Sequence, residues 1–91
     1  MEPLVEFVTP IHDLDVEEKA KAVFECEVSR PNAEVRWYKG RAIIRDSEKY
    51  EIRSDGCKRT LVVLQCTFDD EKKYTCDADD ARTSAKLTVQ G

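Results

Sequence analysis

Cys26, Trp37 and Cys76 stand in an order and at a spacing that few folds can use, and Tyr74 precedes the second cysteine by two residues. Two small sulfur-bearing side chains facing each other across a core, with an indole from an intervening strand laid against them, form the central packing unit of a two-layer β-sandwich. Tyr74 then falls where the ring is buried and the hydroxyl closes a loop by bonding to backbone upstream.

The rest of the chain carries the matching periodicity. Alternation with period two recurs, and no stretch places apolar residues at i, i+3, i+4 and i+7 over two turns, so the fold class is all-β. From Ala22 to Val28, the residues Ala22, Phe24, Cys26 and Val28 share one face while Val23, Glu25 and Glu27 take the other. Further strands are predicted over residues 34–39, 49–53, 59–64, 73–78 and 84–90, at the short, even spacing of a sandwich. Ser54-Asp55-Gly56 reads as a tight hairpin turn with Gly56 at positive φ. Ahead of these, residues 4–8 and 14–16 flank Pro10, which interrupts ladder pairing and predicts one edge strand split in two. The strand pattern runs almost from end to end. Residues 1–91 are therefore read as a single domain, and as a fragment of a larger multidomain protein.

Charge narrows the partners. Acidic residues number 19 against 15 basic ones, and a net charge of −4 gives no long-range attraction for phosphate backbones or anionic lipid. Neither nucleic acid nor a membrane is an expected partner. No apolar run approaches the roughly 20 residues that span a bilayer, and Met1-Glu2-Pro3 lacks the order of a signal peptide. Asn32 is not followed by a glycosylation sequon, which favours an intracellular setting.

Leu61, Val63, Cys66, Asp70, Tyr74 and Cys76 together spell L-x-V-x-x-C-x-x-x-D-x-x-x-Y-x-C. The positions play separate physical roles, with inward apolar residues on one strand, an aspartate capping the turn, then the corner tyrosine and the core thiol. With Trp37 and the runs Ala22-Val23-Phe24-Glu25-Cys26, Glu34-Val35-Arg36-Trp37-Tyr38-Lys39 and Thr83-Ser84-Ala85-Lys86-Leu87-Thr88-Val89, the chain resembles the intermediate-set (I-set) immunoglobulin domains of giant muscle proteins of the titin and obscurin kind. That resemblance implies an immunoglobulin-like two-sheet Greek-key sandwich. Its structural core is Cys26, Trp37, Leu61, Val63, Tyr74 and Cys76. It also implies a cytoplasmic, sarcomeric setting beside neighbouring immunoglobulin-like domains of the same chain, with other sarcomeric proteins as further partners.

Catalysis finds no support. The single histidine, His12, lies in an acidic edge segment with no serine or cysteine partner that a motif assigns. No cofactor is implied. The acidic residues Asp69, Asp70, Glu71, Asp77, Asp79 and Asp80 lack the loop spacing and glycine bend of a calcium site, so they read as solvated turn charges and no metal is expected. Cys26, Cys66 and Cys76 fall at inward positions, where alternative disulfides can compete through thiol exchange, whereas Cys57 follows a turn and is expected to be exposed. In the reducing cytosol the same thiols pack as small hydrophobes.

The favoured function is a non-catalytic mechanical module, an elastic spacer and scaffold. In this fold residues 14–17 lie parallel to residues 85–90, so tension on the ends loads their hydrogen bonds in shear and several must fail together. Proline at Val89 is the corresponding test. Two other readings share the same core signature: a docking module for another sarcomeric protein, for which outward Val62 and Leu64 offer a patch, and an extracellular adhesion or receptor domain.

Overall fold

The computed structural model describes residues 5–78 and 81–91. In chain order the strands among them are β1 (Phe7–Thr9), β2 (Leu14–Glu17), β3 (Ala22–Val28), β4 (Arg36–Lys39), β5 (Ala42–Ile44), β6 (Tyr50–Asp55), β7 (Lys58–Val63), β8 (Lys73–Asp77) and β9 (Arg82–Gln90). They form a four-stranded sheet ordered β1-β3-β7-β6 and a five-stranded sheet ordered β2-β9-β8-β4-β5.

The alternation read in Ala22–Val28 is the one observed. Ala22, Phe24, Cys26 and Val28 are buried, and the residues between them face outward. Across β3 and β7, Phe24 pairs with Leu61 and Ala22 with Val63, so the apolar faces of the two strands line one side of the core. From the other sheet Trp37, Tyr74, Cys76, Ala85, Leu87 and Val89 close over it.

Pro10 divides the first strand between the two sheets. β1 runs antiparallel to β3, with Phe7 opposite Val28, while β2 runs parallel to β9 in the register Leu14–Leu87, Asp15–Thr88, Val16–Val89 and Glu17–Gln90. β1 begins later than residues 4–8 implied and reaches Thr9; Leu4 lies outside the described residues. β4 starts at Arg36 because a turn precedes it, where the Ala33 N–H donates to the Arg30 carbonyl at 3.2 Å.

β5 is an addition to the strands expected from the sequence. It is three residues long, too short to show a period, and is joined to β4 by the two-residue turn Gly40-Arg41. Gly40 has φ of +59°, as does Gly56, the first residue of the two-residue turn between β6 and β7. Positive φ at that position is what a type II′ hairpin turn demands of glycine. Gly56-Cys57 thus closes the hairpin, one residue later than Ser54-Asp55-Gly56 implied, since Ser54 and Asp55 still belong to β6.

Two details correct the sequence reading. Val62 faces outward on β7 yet is only 7% exposed, because Val23 and Glu51 stand opposite it on the two flanking strands and cover it. It offers no open patch. The Val89 N–H points away from β2 and donates to Glu71 Oε1 at 2.7 Å, as the Leu87 N–H points to the Lys72 carbonyl. Since successive N–H groups of a strand alternate sides, the groups that face β2 belong to Lys86, Thr88 and Gln90. The Glu18 N–H donates to the Gln90 carbonyl at 2.7 Å, in keeping with that direction.

Candidate functional site

Cys26 on β3 and Cys76 on β8 bring their sulfurs to 3.8 Å across the two sheets. Trp37 stands opposite Cys76 in the register of β4 and β8 and is 1% exposed. Leu61, Val63, Tyr74 and Cys76 are completely covered. Phe24, legible only as an inward strand residue, stacks on Tyr74 with ring centroids 5.1 Å apart. The Trp37 indole N–H has no hydrogen-bond partner among the described residues.

The two facing thiols differ in acidity. The hydrogen bond with Cys76 lowers the Cys26 pKa; burial works against this, and the Arg59 guanidinium supports it. Cys76 is pushed up by its bond to Cys26 and by burial. Arg59, which from the sequence is no more than the start of a strand, pairs with Cys26 in the register of β3 and β7 and is 3% exposed. Its guanidinium donates to four backbone carbonyls: Gly56 at 2.6 Å, Lys58 at 3.0 Å, and Pro31 and Ala33 at 2.9 Å. A fork of five donors suits that role, since it satisfies carbonyls of two loops at once. A buried arginine bound to backbone alone leaves no trace in spacing or period.

Cys66 sits elsewhere. Its sulfur lies 3.6 Å from the Val63 carbonyl oxygen and beside the Ala22 N–H, while Cys26 is four residues further along β3. At about 3.3 Å per residue that separates them by roughly 13 Å along the strand, beyond the reach of a disulfide without backbone movement. Burial raises the Cys66 pKa, and the charge of Asp70 adds to it. The thiols named from sequence therefore divide into a facing pair, Cys26 and Cys76, and a separate buried Cys66. Cys57 is half-buried rather than exposed, and its carbonyl accepts from the Val28 N–H at 2.8 Å.

Asp70 is the second site. It ends the short 3-10 turn Phe68–Asp70 and is 2% exposed, which corrects its reading as a solvated turn charge: its carboxylate is taken up by partners inside the fold. Its carboxylate accepts from the Thr67 N–H at 2.8 Å, from Lys49 Nζ at 2.7 Å and from Lys39 Nζ at 3.1 Å. Lys39 belongs to the five-stranded sheet and Lys49 leads into the four-stranded one, so one carboxylate ties both layers at the same end. Burial alone would raise its pKa. The hydrogen bonds from Lys49, Thr67 and Lys39 together outweigh burial and hold the carboxyl below its usual range. The Tyr74 hydroxyl donates to the Asp70 carbonyl at 2.8 Å, and burial, with the nearby Asp70 charge, raises the tyrosine pKa.

His12 is exposed, and no group of three or more histidine, cysteine or acidic side chains among the described residues is placed to hold a metal ion. Asp79 and Asp80 lie outside the described residues.

Comparison with known proteins agrees with this architecture. A titin of Drosophila melanogaster is 34% identical over 85 residues, which take in 92% of this chain and 0% of that protein to the nearest per cent. The slow-type myosin-binding protein C of Homo sapiens is 35% identical over 75 residues, 82% of this chain and 7% of that one. A crystallised titin domain superposes with a TM-score of 0.89 at 34% identity, covering 100% of both chains. A chain of a crystallised complex between a titin domain and an obscurin-like 1 immunoglobulin domain superposes with a TM-score of 0.86 at 27% identity, covering 93% of this chain and 92% of that one. The chain spans a small fraction of the curated relatives it matches. The profile of the immunoglobulin I-set domain matches residues 5–90, and the chain belongs to that family.

Proposed function

We propose that this domain is a non-catalytic structural module of a sarcomeric filament protein, an elastic spacer and scaffold flanked by further immunoglobulin-like domains. The observation that carries the reading is the parallel pairing of β2 with β9. Leu14 lies beside Leu87 and Glu17 beside Gln90, so tension entering at the start of β2 and leaving at the end of β9 slides one strand along the other. Each bond contributes about 1 kcal/mol at equilibrium, yet in shear the ladder must break as a set. Side chains reinforce it: the Lys86 N–H donates to Asp13 Oδ1 at 2.8 Å, and Gln90 Nε2 to Asp15 Oδ2 at 2.9 Å. The similarity to titin and myosin-binding protein C supports a muscle setting.

The test is single-molecule extension of a polyprotein. Thr88→Pro removes an N–H that faces β2 and is expected to lower the unfolding force sharply, whereas Val89→Pro removes the bond to Glu71 and reports on the other side of β9. An unchanged force in a folded Thr88→Pro protein would overturn the shear role. Docking to another sarcomeric protein is the second reading, favoured by the likeness to a chain of the titin–obscurin-like 1 complex. Capture of a stoichiometric partner from muscle extract tests it.

A further inference from the structure

We propose that the free edge of β5 is a docking site for an acidic, extended strand of another protein, which lengthens the five-stranded sheet beside Ile43. This goes beyond the load-bearing reading, because β5 and β2 form opposite edges of that sheet and the shear ladder stays intact when β5 is occupied.

Backbone direction opens the site. The Gly40 N–H donates to the Lys73 carbonyl at 2.8 Å, so alternate residues of β4 turn toward β8, and Trp37 and Lys39 turn toward β5. Their register partners Ile44 and Ala42 are thereby bonded to β4, and the intervening residue, Ile43, directs its N–H and C=O to the open edge. Ile43 is 47% exposed, while Ile44 anchors the strand in the core at 7%. An unpaired donor and acceptor beside an exposed apolar side chain is the arrangement that strand addition uses.

Charge selects the occupant. Arg41, in the turn that enters β5, and Arg45, just past its end, flank Ile43 at two residues' distance on either side. Both are exposed, and neither meets an acidic partner among the described residues. They form a basic rim on a chain of net charge −4. Two copies pairing antiparallel through this edge would set Ile43 against Ile43 and Arg41 against Arg45, which places like charges directly opposite. The same spacing welcomes a strand with carboxylates four residues apart and an uncharged centre.

The test is an NMR titration of the domain with the peptide Gly-Glu-Val-Thr-Val-Glu-Gly and with its counterpart carrying lysine in place of both glutamates. Amide shifts are expected over residues 41–45 and at Tyr38, with the acidic peptide binding about ten-fold tighter or more. Arg41→Glu combined with Arg45→Glu should reverse that preference. Ile43→Pro removes an N–H that bonds to nothing in the fold, so it should abolish binding while the thermal unfolding curve stays in place. Equal binding of the two peptides, shifts confined to other strands, or binding retained by Ile43→Pro would each overturn the proposal. So would self-association that Ile43→Pro abolishes, since a second copy would then be the occupant.

Discussion

The Tyr74 hydroxyl donates to the main-chain carbonyl of Asp70 at 2.8 Å, inside a fully covered pocket. One bond therefore locks the turn that feeds β8, the strand that also presents Cys76 to the core.

Tyr74→Phe keeps the ring stacked on Phe24 and removes only that bond. The buried carbonyl is left without its donor, and a loss of about 1–3 kcal/mol is expected. Urea unfolding measures it. A midpoint indistinguishable from the parent would mean that the corner is closed by packing alone.

Asp70→Asn tests the tie between the sheets. The folded pKa of Asp70 is depressed below its ordinary 3.8, so its contribution is complete above that value and is lost as pH falls through the folded pKa. The parent should therefore lose stability on acidification below about pH 4 more steeply than Asp70→Asn does. The variant should already be weaker at pH 7. Parallel acid profiles would remove Asp70 from the account.

Oxidation with diamide should join Cys26 to Cys76, whose sulfurs already lie 3.8 Å apart, and leave Cys66 reduced. Closing a loop of this size is expected to stabilise the fold by about 4 kcal/mol if the bond forms without strain. Peptide mapping by mass spectrometry gives the pairing. Recovery of Cys66 bonded to Cys26 as the main product would show that the two ends of the core exchange places in solution.

How much of this was legible in the sequence depended on what kind of information each feature carries. Ala22, Phe24, Cys26 and Val28 declared a strand and its buried face because side-chain period is written directly in residue order. Tyr74 and Asp70 were legible because a corner needs a fixed offset. β5 was not, since three residues between two turns cannot display a period. Val62 misled because alternation gives the face of a sheet and says nothing of how well neighbours cover that face. The direction of the Val89 N–H was hidden for a related reason: alternation in the sheet plane is set by pairing partners distant in the chain. Arg59 was invisible altogether, as its partners are carbonyls that every residue possesses.

That last property reaches beyond this molecule. Because the Arg59 guanidinium grips main-chain oxygens of the loop at residues 30–33 and of the turn at Gly56, with that of Lys58 at the start of β7, it is indifferent to which side chains those loops display. Their outward-facing residues are free to be rewritten, by descent or by design, without unfastening the end of the sandwich, so long as the one cation beneath them is kept.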